Sequence, residues 1–310
     1  MPYDHTPVML TQCLEMLRVQ PDGVYVDATA GAGGHAEAVV RALESGRLLC
    51  LDKDPEALAR ARARLAPFED RVLFVHSDYR RLSDVLAAHR ISGADGILFD
   101  LGVSSPQFDD PARGFSYRFD AVLDMRMNPE DLLTAREIVN TWPQTELRRI
   151  LFDYGEEPHA PLIAAALVRQ RAKAPVETTG QLADIIAQAL PAKSRRRPGH
   201  PAKRSFQAIR IAVNDELGGL AQGLAAAIDA LNAGGRLVVL SFHSLEDRVV
   251  KTALADAAQG CLCPKDLPVC VCGHTPALRI LTRRPLTAGP EELTENRRAH
   301  SAKLRAAEKL

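Results

Sequence analysis

Apolar runs that close on an acidic residue alternate with helical periodicities through the first hundred positions of the chain. Val24 to Asp27, Arg47 to Asp52, Val72 to Val75 and Gly96 to Leu101 read as strands. Between them, His35 to Leu43, Pro55 to Leu65 and Ser83 to His89 carry helical spacing, the second with proline in its first turn and the third capped by Ser83. Strands alternating with helices predict a parallel, doubly wound sheet. From Pro106 to about Ala212 the rhythm stops, and only proline-punctuated helical patterns remain, such as Leu162 to Gln170 and Gln181 to Leu190. It resumes after a long helical pattern from Phe206 to Leu231, interrupted at Gly218-Gly219. A strand from Arg236 to Phe242 follows, then a helix opened by the capping-box pattern Ser244-Leu-Glu-Asp247. The expected organisation is a discontinuous sheet domain, residues 1–105 and 213–310, with an all-helical insert at 106–212. Leu278 to Leu281 looks like a further strand, whereas Ala299 to Lys309 has the composition of a helix.

The 310 residues are 46% hydrophobic and 25% charged, with net charge zero, as in an ordinary globular protein. The opening residues are polar and no apolar run approaches the roughly 18 residues of a membrane span, so a cytoplasmic protein without a membrane partner is expected. Charge is nonetheless uneven. KSRRRPGHPAKR, from Lys193 to Arg204, carries six basic residues and no acid, and the tail from Arg297 to Lys309 is basic again. Such a run is either a solvated face or a surface that tracks phosphates.

Six cysteines in such a chain do not suggest a disulfide framework. Four are clustered as Cys261-Leu-Cys263 and Cys270-Val-Cys272. They could ring a zinc ion, although C-x-C matches zinc ribbons less well than C-x-x-C, and reduced structural thiols are the alternative.

Candidate chemistry begins at VDATAGAGGHA, residues 26–36, which contains the glycine spacing of a dinucleotide-binding loop. In an open α/β sheet the ligand lies beyond the carboxyl ends of the strands, where Asp27, Asp52 and Asp100 fall in register. Asp52 stands at the distance at which an acid accepts ribose hydroxyls in dinucleotide and S-adenosylmethionine sites alike. Asp27 separates the two, because a carboxylate beside the loop repels a pyrophosphate and attracts ammonium and sulfonium charge. No basic residue lies in the loop and no G-x-x-x-x-G-K-[ST] occurs.

After the fourth strand, Ser105-Pro106-Gln107-Phe108 is similar to the S-P-P-[YF] motif with which amino-group methyltransferases grip a nucleobase, with Gln107 in place of the second proline. A hydroxyl and a turn carbonyl accepting the N–H bonds of an exocyclic amine leave its lone pair aimed at a methyl carbon, while an aromatic ring stacks on the extruded base. The bland alternative is a polar turn with Phe108 in the core.

His5-Thr-Pro-Val, Thr29-x-Gly31-x-Gly33-Gly34-His35, Asp52-Lys-Asp-Pro55, Asp100-Leu-Gly-Val-Ser-Ser-Pro-Gln107, Gly114-Phe-Ser, Leu123-Asp-Met-Arg-Met127, Tyr154-Gly-Glu156, Phe206-Gln-Ala-x-Arg210 and Ser241-Phe-His-Ser-Leu-Glu-Asp-Arg248 occur in this order. Together they closely resemble the MraW family of ribosomal RNA methyltransferases along nearly the whole chain. The resemblance implies S-adenosylmethionine-dependent methylation of the N4 amine of a cytidine in the decoding region (P site) of 16S rRNA in the small ribosomal subunit. It also implies a class I methyltransferase sheet, Rossmann-like and doubly wound, whose last strand is antiparallel, so Lys303 to Glu308 is expected as a strand against its own propensity.

By the family's pattern Gly33, Gly34, His35, Asp52, Tyr79, Asp100 and Gln107 contact the cofactor. Ser105, Phe108 and His243 are the catalytic candidates, with no metal needed for the chemistry. His243 either meets substrate and its released proton or is structural, and Arg210 with Asn214 meets RNA or forms an internal pair. Two other classes remain open: a nicotinamide-dependent oxidoreductase using the same loop, and a non-catalytic RNA-binding assembly factor.

Overall fold

The computed structural model describes residues 7–196, 199–261, 263 and 271–310. It divides into two compact units, Met1–Gly102 with Leu217–Leu310, and Val103–Glu216. Among the described residues no helix is long and apolar enough to cross a membrane.

The first unit is built on one seven-stranded sheet of β1 (Val24–Asp27), β2 (Arg47–Asp52), β3 (Val72–His76), β4 (Ala94–Asp100), β5 (Leu231–Ser241), β6 (Leu278–Ile280) and β7 (Lys303–Lys309), in the order β3-β2-β1-β4-β5-β7-β6. The first five strands pair in parallel, and β7 runs antiparallel to both β5 and β6. This is the class I methyltransferase sheet. Its order reverses between β1 and β4, which is where a doubly wound sheet opens a crevice.

Strand alternation sorts the core into two layers. Tyr25, Leu48, Cys50, Leu98, Val238 and Leu240 face one side, under the helices Leu10–Leu17, Gly34–Arg41 and Pro55–Arg64. Val26, Leu49, Leu51, Ile97, Phe99, Leu237 and Val239 face the other, under Leu82–Ala88, Glu216–Ala230 and Ser244–Ala257. Each such aliphatic side chain removed from water contributes about 1.5–3 kcal/mol, which fixes the register and so aligns the strand ends.

β7 is a strand despite its helix-forming letters. Leu304 and Ala306 fill one layer and Ala307 the other. Glu308 lies opposite Arg236 on β5 and pairs with it at 3.0 Å. Arg305 and Lys303 both reach Asp247, at 2.6 and 3.0 Å. Tertiary pairing outweighs local propensity here, and much of the basic tail is spent on internal partners.

Three helix ends differ from the sequence expectation. Ser83 lies inside the helix Leu82–Ala88, whose N-cap is Arg81, because the preceding short helix Tyr79–Arg81 continues straight into it. The break before Glu216–Ala230 falls at Asp215, in left-handed conformation at φ 46°, and Gly219 instead gives room to the Arg80 side chain. The helix after β5 is capped by His243, not by Ser244.

The second unit is helical. Its main helices are Ala135–Thr141, Gln144–Asp153, Ala160–Arg171, Thr179–Ala189 and Lys203–Asn214. Residues spaced three and four apart, such as Leu147, Ile150 and Leu151, or Phe206, Ile209 and Val213, close a single core. Thr178 and Gln181 form a capping box at one helix start. Among the described residues the unit's only β pairing is an isolated bridge between Val122 and Thr178.

Candidate active site at the carboxyl edge of the sheet

β1, β2 and β4 deliver Asp27, Asp52 and Asp100 to the same edge. Asp27 is almost wholly buried, at 2% exposure. Burial pushes its carboxyl up to about 7, against the opposing pull of His35 and of the Thr29 N–H donated at 3.2 Å; the charges of Asp100 and Asp52 push it further up. Asp52 accepts backbone N–H bonds from Gly31 and Asp54, both at 2.8 Å, yet burial still raises it to about 6. Asp100 is placed by its own amide, which donates to Thr29 Oγ1 at 2.6 Å. Its Oδ2 lies 3.3 Å from His35 Nδ1, while Oδ1 is buried with no hydrogen-bond partner among the described residues. The edge is therefore a concentration of acid waiting for donors or positive charge.

The glycines of the loop differ in what they answer to. Gly31 takes φ +52° and faces open space, since the nearest atom to an added Cβ is a carbonyl 3.9 Å away. Gly33, at φ +81°, lies against the backbone of Ala61, and a side chain on Gly34 would collide with Pro7. Gly31 thus leaves room for a ligand beside Asp52, and the other two allow the helix Gly34–Arg41 to start under its neighbours.

His35 is buried at 5% exposure on that helix. Its Nε2 meets the Val8 carbonyl at 3.0 Å and its Nδ1 meets Asp100. Both partners are acceptors, so both ring nitrogens donate and the ring is an imidazolium. Burial alone would depress its pKa, but the Asp100 carboxylate overrides this and holds it well above the ordinary value. Tyr79 follows β3. Its ring stands edge-on to Phe99 at 5.5 Å between centroids, and Gly223 allows the helix Glu216–Ala230 to pass beside it, since a Cβ there would lie 2.4 Å from the ring.

Ser105, Gln107, Phe108, Arg210 and Asn214 belong to the helical unit. Ser105 begins the short helix Ser105–Asp109, with Pro106 in its first turn; the Ser105 side chain lies outside the described residues. Gln107 is buried and its Oε1 accepts from the Ser104 amide at 3.0 Å, so part of its side chain holds the turn. Phe108 is partly buried against the helical core. Arg210 makes a two-pronged pair with Glu216 at 2.9 and 2.8 Å, and Asn214 holds Met125 and Met127 by their backbones at 2.8 and 2.7 Å. Both are engaged internally. In the basic tract, Lys193, Arg195, Arg196, Lys203 and Arg204 are exposed.

His243 caps the helix Ser244–Ala257. Its Nδ1 accepts the Glu246 amide at 3.3 Å, and Glu246 returns the contact by accepting the amides of Phe242 and His243 at 2.7 and 3.1 Å. A ring whose Nδ1 accepts carries its proton on Nε2 when neutral. The sequence reading passed over Thr29, although the motif contains it. It also missed Asp247 as the anchor of β7, where an acid in the first helical turn is ordinarily explained by the helix dipole.

The MraW methylase family matches residues 2–310. A protein of Heliobacterium modesticaldum named Ribosomal RNA small subunit methyltransferase H is 55% identical over 312 residues, covering 100% of both chains. Proteins of the same name from Carboxydothermus hydrogenoformans and Symbiobacterium thermophilum are each 51% identical, covering 100% of this chain and 99% and 98% of theirs. The match runs through the strand edges, the glycine loop and the helical unit alike, and the chain belongs to the MraW methylase family.

Proposed function

We propose that the chain transfers the methyl group of S-adenosylmethionine to the N4 amine of a cytidine in the decoding region (P site) of 16S rRNA, acting on the small ribosomal subunit in the cytoplasm. The relatives' shared name supports the substrate. The observation that carries the reading is the acid edge itself: Asp27 and Asp52 buried against their ionisation, with an orphaned Asp100 oxygen beside them. Such a site fits a ligand that brings N–H and O–H donors and positive charge, and disfavours a pyrophosphate.

S-adenosylmethionine supplies an electrophilic methyl group on a cationic sulfur. Asp52 accepts ribose hydroxyls, and its two backbone partners hold it in place to do so. Asp100 Oδ1 accepts a ligand N–H, Tyr79 offers its ring to adenine, and Gly33, Gly34 and His35 form the loop-to-helix turn under the ligand. Ser105, five positions beyond Asp100 along the chain, accepts an N–H of the target amine; Phe108 stacks on the base and Gln107 fixes the turn between them. No strong base is required, because the amine becomes acidic as it is methylated and releases its proton to water. His243, with Nδ1 occupied, positions the segment after β5. The helical unit with its basic tract recognises RNA, the exposed lysines and arginines neutralising phosphates.

The test is transfer of labelled methyl into small subunits from cells lacking this enzyme, followed by nucleoside separation. Label in N4-methylcytidine is expected. Label in another nucleoside, or none in subunits, assembly intermediates or free rRNA despite cofactor binding, would overturn the substrate assignment.

A further inference from the structure

Residues 258–276 connect the helix Ser244–Ala257 to β6 within the sheet unit. The excursion is closed at its base by Ala277 donating to the Ala257 carbonyl at 2.8 Å. Its described residues form no helix and no strand, and Val271 is 76% exposed. A connection longer than about 12–15 residues is uncommon in a folded domain unless it serves a function.

The thiols of this connection converge. The Sγ atoms of Cys261, Cys263 and Cys272 all lie within 4.8 Å of one another, although eight residues separate Cys263 from Cys272 in sequence. Cys261 and Cys272 stand 3.8 Å apart. Sulfurs about 2.3 Å from a shared tetrahedral ion lie about 3.8 Å from each other. A disulfide needs about 2.05 Å, and no disulfide joins these three cysteines. Backbone amides already point at the sulfurs: Cys263 N at Cys261 Sγ and Val271 N at Cys263 Sγ, each 3.4 Å. Such N–H bonds favour the thiolate, the form that ligates metal. His274 turns its Nδ1 to the Gly260 carbonyl at 2.6 Å, away from this role.

We propose that Cys261, Cys263 and Cys272 bind one structural zinc ion that staples this excursion. Thiolates select soft cations, and three sulfurs converging on one point suit a single tetrahedral ion. Binding converts three thiols to thiolates and releases up to three protons for each Zn²⁺ taken up. The sequence holds a fourth thiol, Cys270, outside the described residues. The ion is remote in role from methyl transfer: its work is to close a long loop, where a crosslink removes the most chain freedom.

The full-length protein, expressed with added zinc and purified without chelator, tests this by elemental analysis together with mercurial titration in the presence of a chromogenic chelator. About one zinc per chain is expected, released in step with modification of the thiols. Cys263→Ser should retain less than about a tenth of it, while Cys50→Ala, far down β2, should retain it all. Circular dichroism establishes that each variant is folded, and cobalt exchanged into the unsubstituted protein should give a thiolate charge-transfer band. Iron or copper in place of zinc, a substoichiometric metal content, zinc retained by Cys263→Ser, or a cobalt protein without the band would overturn the assignment.

Discussion

His35 and His243 both stand at the start of a helix in the sheet unit, and both belong to motifs that single them out. Their ring nitrogens are engaged differently. His35 has two acceptors, Val8 and Asp100, and is buried as a cation although a helix N-terminus disfavours positive charge. His243 accepts an amide with Nδ1 and caps its helix, and its Nε2 lies 3.2 Å from Glu246 Oε1. The difference lies in how the second nitrogen and the carboxylate are used: His35 meets a carbonyl and the carboxylate that ends β4, whereas Glu246 accepts two backbone amides with Oε2 and faces the His243 ring with Oε1. A histidine's identity and place in a motif do not determine its chemistry; the groups facing its two nitrogens do.

Removing the counter-charge probes this contrast most severely. Asp100→Ala strands a buried cation and should cost about 3–5 kcal/mol at pH 6 in urea unfolding. Because the raised pKa of His35 makes its pairing a stability present below 6.5 and lost as pH rises through the folded value, the cost should shrink in alkali. An equal cost at pH 6 and pH 9 would break the assignment of charge.

Asp27 should shift stability with pH in the same direction, through a different window. Its folded value of about 7 stands above the unfolded 3.8, so between about pH 4 and 7 the folded state holds a proton that the unfolded state has released. Stability falls across that window and is level above it. Asp27→Asn should therefore gain on the parent protein as pH rises, by up to about 4 kcal/mol at pH 8, and not at all near pH 3.5. Denaturant midpoints across that range measure it; a pH-independent difference would refute the buried proton.

Asp52→Ala removes the acceptor of two amides as well as the proposed ribose contact. Calorimetry should show S-adenosylmethionine binding weakened about 10–100-fold, or about 1.4–2.7 kcal/mol. Unchanged affinity would remove Asp52 from the site. The smallest effect is expected at His243. His243→Ala should cost about 1 kcal/mol as a lost cap, and His243→Asn, which can still cap, should restore it with kcat within about threefold of the parent. A loss of 10²-fold or more in both would instead make the ring an acid–base group.

The sheet was legible because its strands are apolar on both faces and end in acids, as at Leu48–Asp52. The acids were legible as a set because parallel strands share one edge. Helix caps were not: Ser83 and Ser244 have the right chemistry for capping, but Arg81 and His243 occupy the positions at which the backbone leaves the helix. β7 could be assigned only through resemblance, since Lys-Leu-Arg-Ala-Ala-Glu-Lys favours a helix until β5, β6 and Asp247 are present to pair with it. The Arg210–Glu216 pair and the clasp of Asn214 on Met125 and Met127 join residues whose partnership no local spacing announces.

The position of β7 between β5 and β6 also has a consequence for how the protein is made. Synthesised from the amino terminus, Leu278–Ile280 is made before Lys303–Lys309, the one strand it pairs with among the described residues. At about 5–20 residues per second the wait is on the order of seconds. Throughout that interval β5 presents a bare, apolar edge to the cell, and a nascent-chain chaperone or a rare-codon pause near residue 280 would act on this gap before any other part of the fold.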